Sequence, residues 1–159
     1  MANRRRHAAV AVLAGEPQER LLVRDAENLH VLGRFFRAMF LNLLREPRKM
    51  QTIEKLELVV AIDPTGHPES ALTVTFSGGR IFLEGGIAPK PDIVLRCEPA
   101  VLMKLARMPA GPAAIKFLGT HEGKDLIARM RSGELKIQGI TRHPLGMKRF
   151  SEFLAPSAG

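Results

Sequence analysis

Between Ala71 and Cys97 the chain alternates apolar and polar residues in three short runs joined by glycine turns. Such a pattern restricts it to strands of a sheet with one buried face. Leu72, Val74 and Phe76 point one way, Thr73 and Thr75 the other. Ser77-Gly78-Gly79 permits a tight hairpin, Arg80 to Glu84 returns, and Asp92 to Cys97 follows the break at Pro89-Lys90-Pro91. A fourth run precedes them: over Glu54 to Ile62, Leu56, Leu58, Val60 and Ile62 oppose Lys55 and Glu57. A fifth, Glu134 to Ile140, stands alone between helical segments, with Leu135 and Ile137 on one face.

The remaining segments read as helices. Over Asp25 to Glu46, Leu32, Phe35, Phe36, Met39, Phe40, Leu43 and Leu44 recur at three- and four-residue spacing. Asp25 can cap this helix and Pro47 ends it. Glu98-Pro99 opens another, with Val101, Leu102, Leu105 and Met108 as its apolar face. Ala113 to Leu118 is apolar without an assigned element. Gly123 to Arg131 turns Leu126, Ile127 and Met130 inward and ends at Gly133. His143-Pro144 starts a last helix carrying Met147, Phe150, Phe153 and Leu154.

Strands that alternate this clearly keep one wet face, on which Glu57, Thr73, Thr75 and Glu84 are expected, so the helices must share the other. The expected fold is α+β: a single five-stranded, mostly antiparallel sheet with one face covered by helices. It should occupy residues 25–155, after a flexible basic N-terminal arm over 1–24 and before a short tail at 156–159.

At 159 residues and 45% hydrophobic, the chain can bury one core. No apolar run approaches the ~18 residues of a membrane span. Arg4-Arg5-Arg6 precedes an apolar Ala8 to Ala14, and Val12-Leu13-Ala14 has the look of a cleavage site. That stretch is at the lower limit for a signal peptide, so a basic arm is expected. Cys97 is the single cysteine, which excludes an internal disulfide and fits a reducing, cytoplasmic setting. The net charge of +8 is uneven: +5 over residues 1–50, −3 over 51–100 and +6 over 101–159. Basic flanks of this kind attract anionic membrane surfaces. There is no Trp or Tyr, but there are eight Phe and seven Met. Plain rings and flexible thioethers suit an adaptable apolar lining, or simply a core.

Chemistry is hard to assemble from these residues. Gly119-Thr120-His121-Glu122-Gly123-Lys124-Asp125 is one residue short of a phosphate loop and has Asp in place of its hydroxyl residue; a helix start explains it. His7, His30, His67, His121 and His143 show no metal-ligand spacing. Nucleic acid is not expected, because neither a recognition helix nor stacking aromatics appear. Neither catalytic residues, metal nor cofactor are expected. Were the chain an enzyme, His121, Glu122 and Cys97 would be its candidates.

The order of strand, strand, strand, Pro-Asp-strand, helix, then Ser-Gly-x-Leu-Lys-Ile-x-Gly and a helix resembles the sterol carrier protein 2 (SCP2-like) family. Three segments carry the likeness, over about 100 residues. They are Val74 to Gly85, Pro91 to Leu95 with the helix through Leu102 and Leu105, and Ser132 to Gly139 with Leu145-Gly146-Met147. The sequence departs from the pattern at Phe82, where family members often carry Trp, and at Ile140, where a turn-forming Asp or Asn is common. Pro109 to Asp125 looks like an insertion, and the terminal Pro156 to Gly159 is no peroxisomal tripeptide.

The resemblance implies a bacterial stand-alone, non-catalytic carrier with an apolar tunnel between sheet and helices. Its guest would be a fatty acid, a sterol-like lipid or an isoprenoid. Phe82, Leu102, Leu105, Ile115, Phe117, Leu118, Met130, Met147 and Phe150 are the candidate wall, and the last helix the candidate lid. The alternative is a scaffold or accessory protein for lipid or isoprenoid-quinone synthesis, acting through a partner or as a homodimer, peripheral to a membrane.

Overall fold

Three rows of apolar side chains cross the sheet and fix its buried face. Leu21, Ile81, Phe76 and Leu58 form one; Val23, Leu83, Val74, Val60 and Ile93 the next; Leu72, Ile62, Leu95 and Ile137 the third. Nearly all of these are buried, which is what a period of two delivers when one side meets helices. The computed structural model describes residues 16–24, 29–109 and 112–156. Its strands are β1 (Leu21–Arg24), β2 (Leu58–Pro64), β3 (Leu72–Ser77), β4 (Arg80–Gly85), β5 (Ile93–Cys97) and β6 (Lys136–Gln138). They lie in the order β1-β4-β3-β2-β5-β6, with β1–β4 and β2–β5 parallel and the other pairs antiparallel.

The helices are α1 (Pro17–Arg20), α2 (Val31–Leu43), α3 (Pro47–Glu54), α4 (Pro99–Ala106), α5 (Pro112–Leu118), α6 (His121–Ser132) and α7 (Pro144–Leu154). The α+β class and the helix-covered sheet are as the alternation implies. Among the described residues the sheet has six strands rather than five. The additional one, β1, comes from residues 21–24, assigned above to a flexible arm. Its anchor is Arg20, which is buried and donates from Nη1 to the Gly79 carbonyl and from Nη2 to Glu54, each at 3.3 Å. Residues 1–15 of the expected arm and 157–159 of the expected tail lie outside the described residues.

The helix expected over 25–46 is shorter. It starts after His30 and ends at Leu43; Asp25, the expected cap, lies outside the described residues. Pro47 does not merely end it but opens α3, since a proline lacking N–H fits a first helical turn. That helix takes up residues 47–54, so β2 begins at Leu58 rather than Glu54. On the outer face, Thr73 is not wet. Its hydroxyl donates to the Gly86 carbonyl at 2.8 Å and accepts from the Ala88 amide at 2.9 Å, so the chain after β4 folds over it.

One end of β6 depends on Gly139. It has φ +95°, and a Cβ there would run into the carbonyl of Asp92. Only glycine allows both the left-handed backbone and that approach.

Candidate functional site

Two halves of the space under the sheet differ in filling. Beneath β3, four phenylalanines close it. Phe40 of α2 lies 6.2 Å from Phe76 and 5.6 Å from Phe153, and Phe76 lies 5.5 Å from Phe150 and 5.7 Å from Phe153. These are edge and tilted contacts at ordinary aromatic separations. Phe150 is the partition, because its ring also faces the other half.

That other half is hollow. A cavity of about 450 Å³ opens between the β5–β6 edge and helices α4 to α7. Leu95 and Ile137 form its floor with Leu135; Leu105, Met108 and Pro109 come from α4 and its exit; Ala114 and Leu118 from α5; Leu126, Ile127 and Met130 from α6; Met147, Phe150 and Leu154 from α7. Its polar lining residues, Lys148, Ser151 and Glu152, are all on α7. The size and chemistry match a small-molecule site, which is usually concave, mostly apolar and edged by a few polar groups.

The short α5 explains the hollow. Seven residues make two turns, and none of its side chains is fully buried. It rests on α6 at Gly123, where a Cβ would collide with the backbone of Phe117 and Leu118. Thr120 caps α6, accepting from the Gly123 amide at 3.2 Å, and Gly133 (φ +84°) closes it. Asp125 joins α6 to α4. Its carboxylate accepts from Arg129 Nε at 3.0 Å and Lys104 Nζ at 3.5 Å, and Arg129 reaches Glu134 at 3.2 Å. The Arg129 hydrogen bond holds the Asp125 carboxyl below its usual range.

Of the residues predicted to form the wall, Leu105, Leu118, Met130, Met147 and Phe150 come together in this cavity. Four do not line it. Phe82 pairs with Thr75 and Leu22 on the opposite face of the sheet, where the Arg24 guanidinium sits 5.6 Å from its ring centroid. Leu102 is packed into the core, Phe117 is half-buried against it, and Ile115 is on the outside of α5 and 75% exposed. Leu126 and Ile127 were legible as inward-facing, and Leu135 and Ile137 as sharing one strand face, but none of them as a cavity residue. Leu95, Met108, Ala114 and Leu154 join them.

The last helix is no free lid. Gly146 seats α7 on Leu58, Phe150 and Phe153 are buried, and Lys49 holds its C-terminus. The residues weighed for chemistry are dispersed. His121 and Glu122 are exposed at the start of α6. Cys97 is fully buried, and burial, with Glu98 adding to it, pushes its thiol up to about 11. At neutral pH it is a protonated, poor nucleophile. Among the described residues no three His, Cys, Asp or Glu side chains converge as metal ligands, and no helix is long and apolar enough to cross a membrane.

No protein-family model matches the sequence, and no curated protein matches it. Among solved structures, the chain is similar to one described as "UbiJ-SCP2 Ubiquinone synthesis protein". The TM-score is 0.53 at 22% identity, over 78% of this chain and 92% of that one. A second, the inverting sec-alkylsulfatase Pisa1 from Pseudomonas sp., gives a TM-score of 0.47 at 14% identity, over 74% of this chain and 15% of that one. The first likeness shows that the fold is SCP2-like.

Proposed function

We propose that this protein is a non-catalytic carrier that holds a hydrophobic guest in the α4–α7 cavity. The observation that carries the proposal is the 450 Å³ hollow with its apolar wall, open beside a core that is otherwise closed by aromatic rings. An engineered apolar cavity of about 150 Å³ already takes up benzene, and this one is three times larger. The expected guests are fatty acids, sterol-like lipids or isoprenoids. Removing ~400 Å² of such a molecule from water contributes roughly 10 kcal/mol gross. Immobilisation costs about 4 kcal/mol, which leaves about 6 kcal/mol, a Kd of roughly tens of micromolar, and ready release.

Leu118 and Met130 line the cavity and are exposed, Ile115 and Leu145 on α5 and α7 are exposed apolar side chains as well, and Lys116, Lys124, Arg131 and Lys148 lie among them in sequence. This mixture suits transient contact with an anionic membrane from the cytoplasm. Helix α5, with no buried side chain, is the element best suited to swing aside. Native mass spectrometry of the gently purified protein tests the carrier function. A co-purifying lipid displaced by a fluorescent fatty acid is the expected result. A protein that is always empty and ignores such probes would sink it.

The likeness to a ubiquinone synthesis protein supports a second reading, that of an accessory to isoprenoid-quinone synthesis acting through a protein partner. Stoichiometric recovery of one biosynthetic enzyme without any lipid would favour it over the carrier.

A further inference from the structure

On the far side of α7 from the cavity, α3 presents a polar stripe. Arg48, Gln51, Thr52 and Lys55 stand at spacings of three, four and seven residues, so they share one helix face. With Arg149 and Glu152 of α7 they enclose a surface pocket of about 330 Å³. Three cations face one acid. Among the described residues neither Arg48 nor Lys55 is ion-paired.

The frame of this pocket is rigid. Arg149 donates from Nη1 to the Lys55 carbonyl at 2.6 Å, which fixes its guanidinium across the two helices. The same bond covers the carbonyl of the residue that caps α3, one of the terminal carbonyls whose partial negative charge would otherwise repel an anion. Four other N–H donors remain on that guanidinium. One residue along α3 from Arg48, Lys49 ties the helix to the end of α7. Guanidinium, ammonium and amide donors therefore approach one space from two helices. A carboxylate would use a single fork of these donors; a tetrahedral oxyanion with acceptors on every side can use all of them.

We propose that Arg48, Lys55 and Arg149, with Gln51, form a binding site for a phosphate group. Such a group has two sources: free inorganic phosphate or diphosphate, or the head of an amphiphile. The second is sterically open because Glu152 borders both this pocket and the cavity. Each residue of α7 from Lys148 to Glu152 lines the cavity, the pocket or both. The anion site rests on its own side chains and does not require the cavity to be filled.

The test compares four probes on the full-length protein at low and high salt: inorganic phosphate, pyrophosphate, and dodecyl phosphate against dodecanol below their aggregation limits. Each is run on the wild type and on the double variant R48Q/K55Q, which leaves Arg149 and its helix-bridging bond in place. Dodecyl phosphate or pyrophosphate is expected to bind the wild type, with dodecyl phosphate about tenfold or more tighter than dodecanol if the phosphate is a headgroup. The variant should lose that advantage while its melting temperature holds, and the wild-type advantage should shrink with salt. Binding of pyrophosphate or phosphate alone assigns the site to free anions; the dodecyl phosphate advantage alone assigns it to a headgroup. Dodecanol uptake with no phosphate effect in any probe overturns the anion site and leaves the carrier standing. Phosphate binding that R48Q/K55Q does not weaken also overturns it. Phosphate binding with no alkyl uptake leaves the site standing and removes the carrier.

Discussion

Lys49 holds the end of α7: its Nζ donates to the carbonyls of Glu152 and Ala155, each at 2.6 Å. The lysine is 7% exposed, and burial pulls its pKa below the usual value despite the nearby carboxylates of Glu46 and Glu152. A buried cation is tolerated here because it satisfies terminal helix carbonyls that have no intrahelical donor. The wall of the cavity is therefore clamped from α3.

Replacing this lysine with an apolar residue of similar length leaves those carbonyls without a donor. Lys49→Met is expected to lower stability by about 2 kcal/mol, as unsatisfied buried acceptors do. Urea unfolding measures it, and uptake of a fluorescent fatty acid should fall with it because α7 is loosened. A variant as stable as the wild type would show that the clamp is idle.

The buried thiol gives a pH signature. The folded state holds the Cys97 proton up to about 11, against an unfolded value of 9.0. Between those values the unfolded chain binds fewer protons than the folded one. Stability is therefore fully present below pH 9, falls as pH rises toward 11 and then levels off, by roughly 3 kcal/mol at most. Lys49 acts with the opposite sign. Its lowered pKa makes the folded state give up a proton first, so its contribution rises with pH just below 10.5. The difference in unfolding free energy between wild type and Cys97→Ala, followed from pH 8 to 11, isolates the thiol. A flat difference would contradict the burial, as would rapid reaction of the native thiol with a disulfide reagent at pH 8.

Substitutions on the two faces of the sheet should separate cleanly. Ala114→Trp places a ring into the cavity from half-buried α5. Fatty-acid affinity should drop about tenfold or more while stability moves by roughly 0.5 kcal/mol or less. Phe82→Ala, on the opposite face, should leave affinity unchanged. If Phe82→Ala abolishes binding and Ala114→Trp does not, the guest is elsewhere.

The Phe82 result shows where sequence reading reaches its limit. Ile81, Phe82 and Leu83 are consecutive apolar residues, so period two cannot choose a face by itself. Register decides it: Phe82 lies opposite Thr75, while Ile81 lies opposite Phe76. The row Leu72, Val74 and Phe76 was legible because Thr73 and Thr75 alternate with it; Leu58, Val60 and Ile62 followed only by continuing the phase set at Lys55 and Glu57, since Val59 and Ala61 between them are apolar too. Strand β1 was not, since its four residues pair in parallel with β4 some 60 positions away, and no local signal announces such a partner. Helix α3 was hidden by treating Pro47 as a stop, although the same residue type at Pro99 was read as a start. Half of the cavity wall was visible as inward-facing positions. That those positions enclose a void instead of packing together depends on how far the short α5 can reach, which is a property of three-dimensional spacing.

The contact between α5 and α6 supplies the last prediction. At Gly123 the two helices approach so closely that a methyl group would overlap the Phe117 carbonyl and the Leu118 Cα. Both obstacles are backbone, so no side-chain rotation can relieve them, and α5 must move as a unit. Gly123→Ala should cost about 1–3 kcal/mol, as overpacking does, even though alanine is the better helix former by about 1 kcal/mol. Because Ala114 and Leu118 line the cavity, the same shift should widen its mouth. Bound fluorescent fatty acid should then dissociate several-fold faster in stopped-flow displacement, with association little changed. A more stable Gly123→Ala protein with unaltered release would mean that α5 does not rest on α6 at this residue, and with it would go the role of α5 as the moving wall.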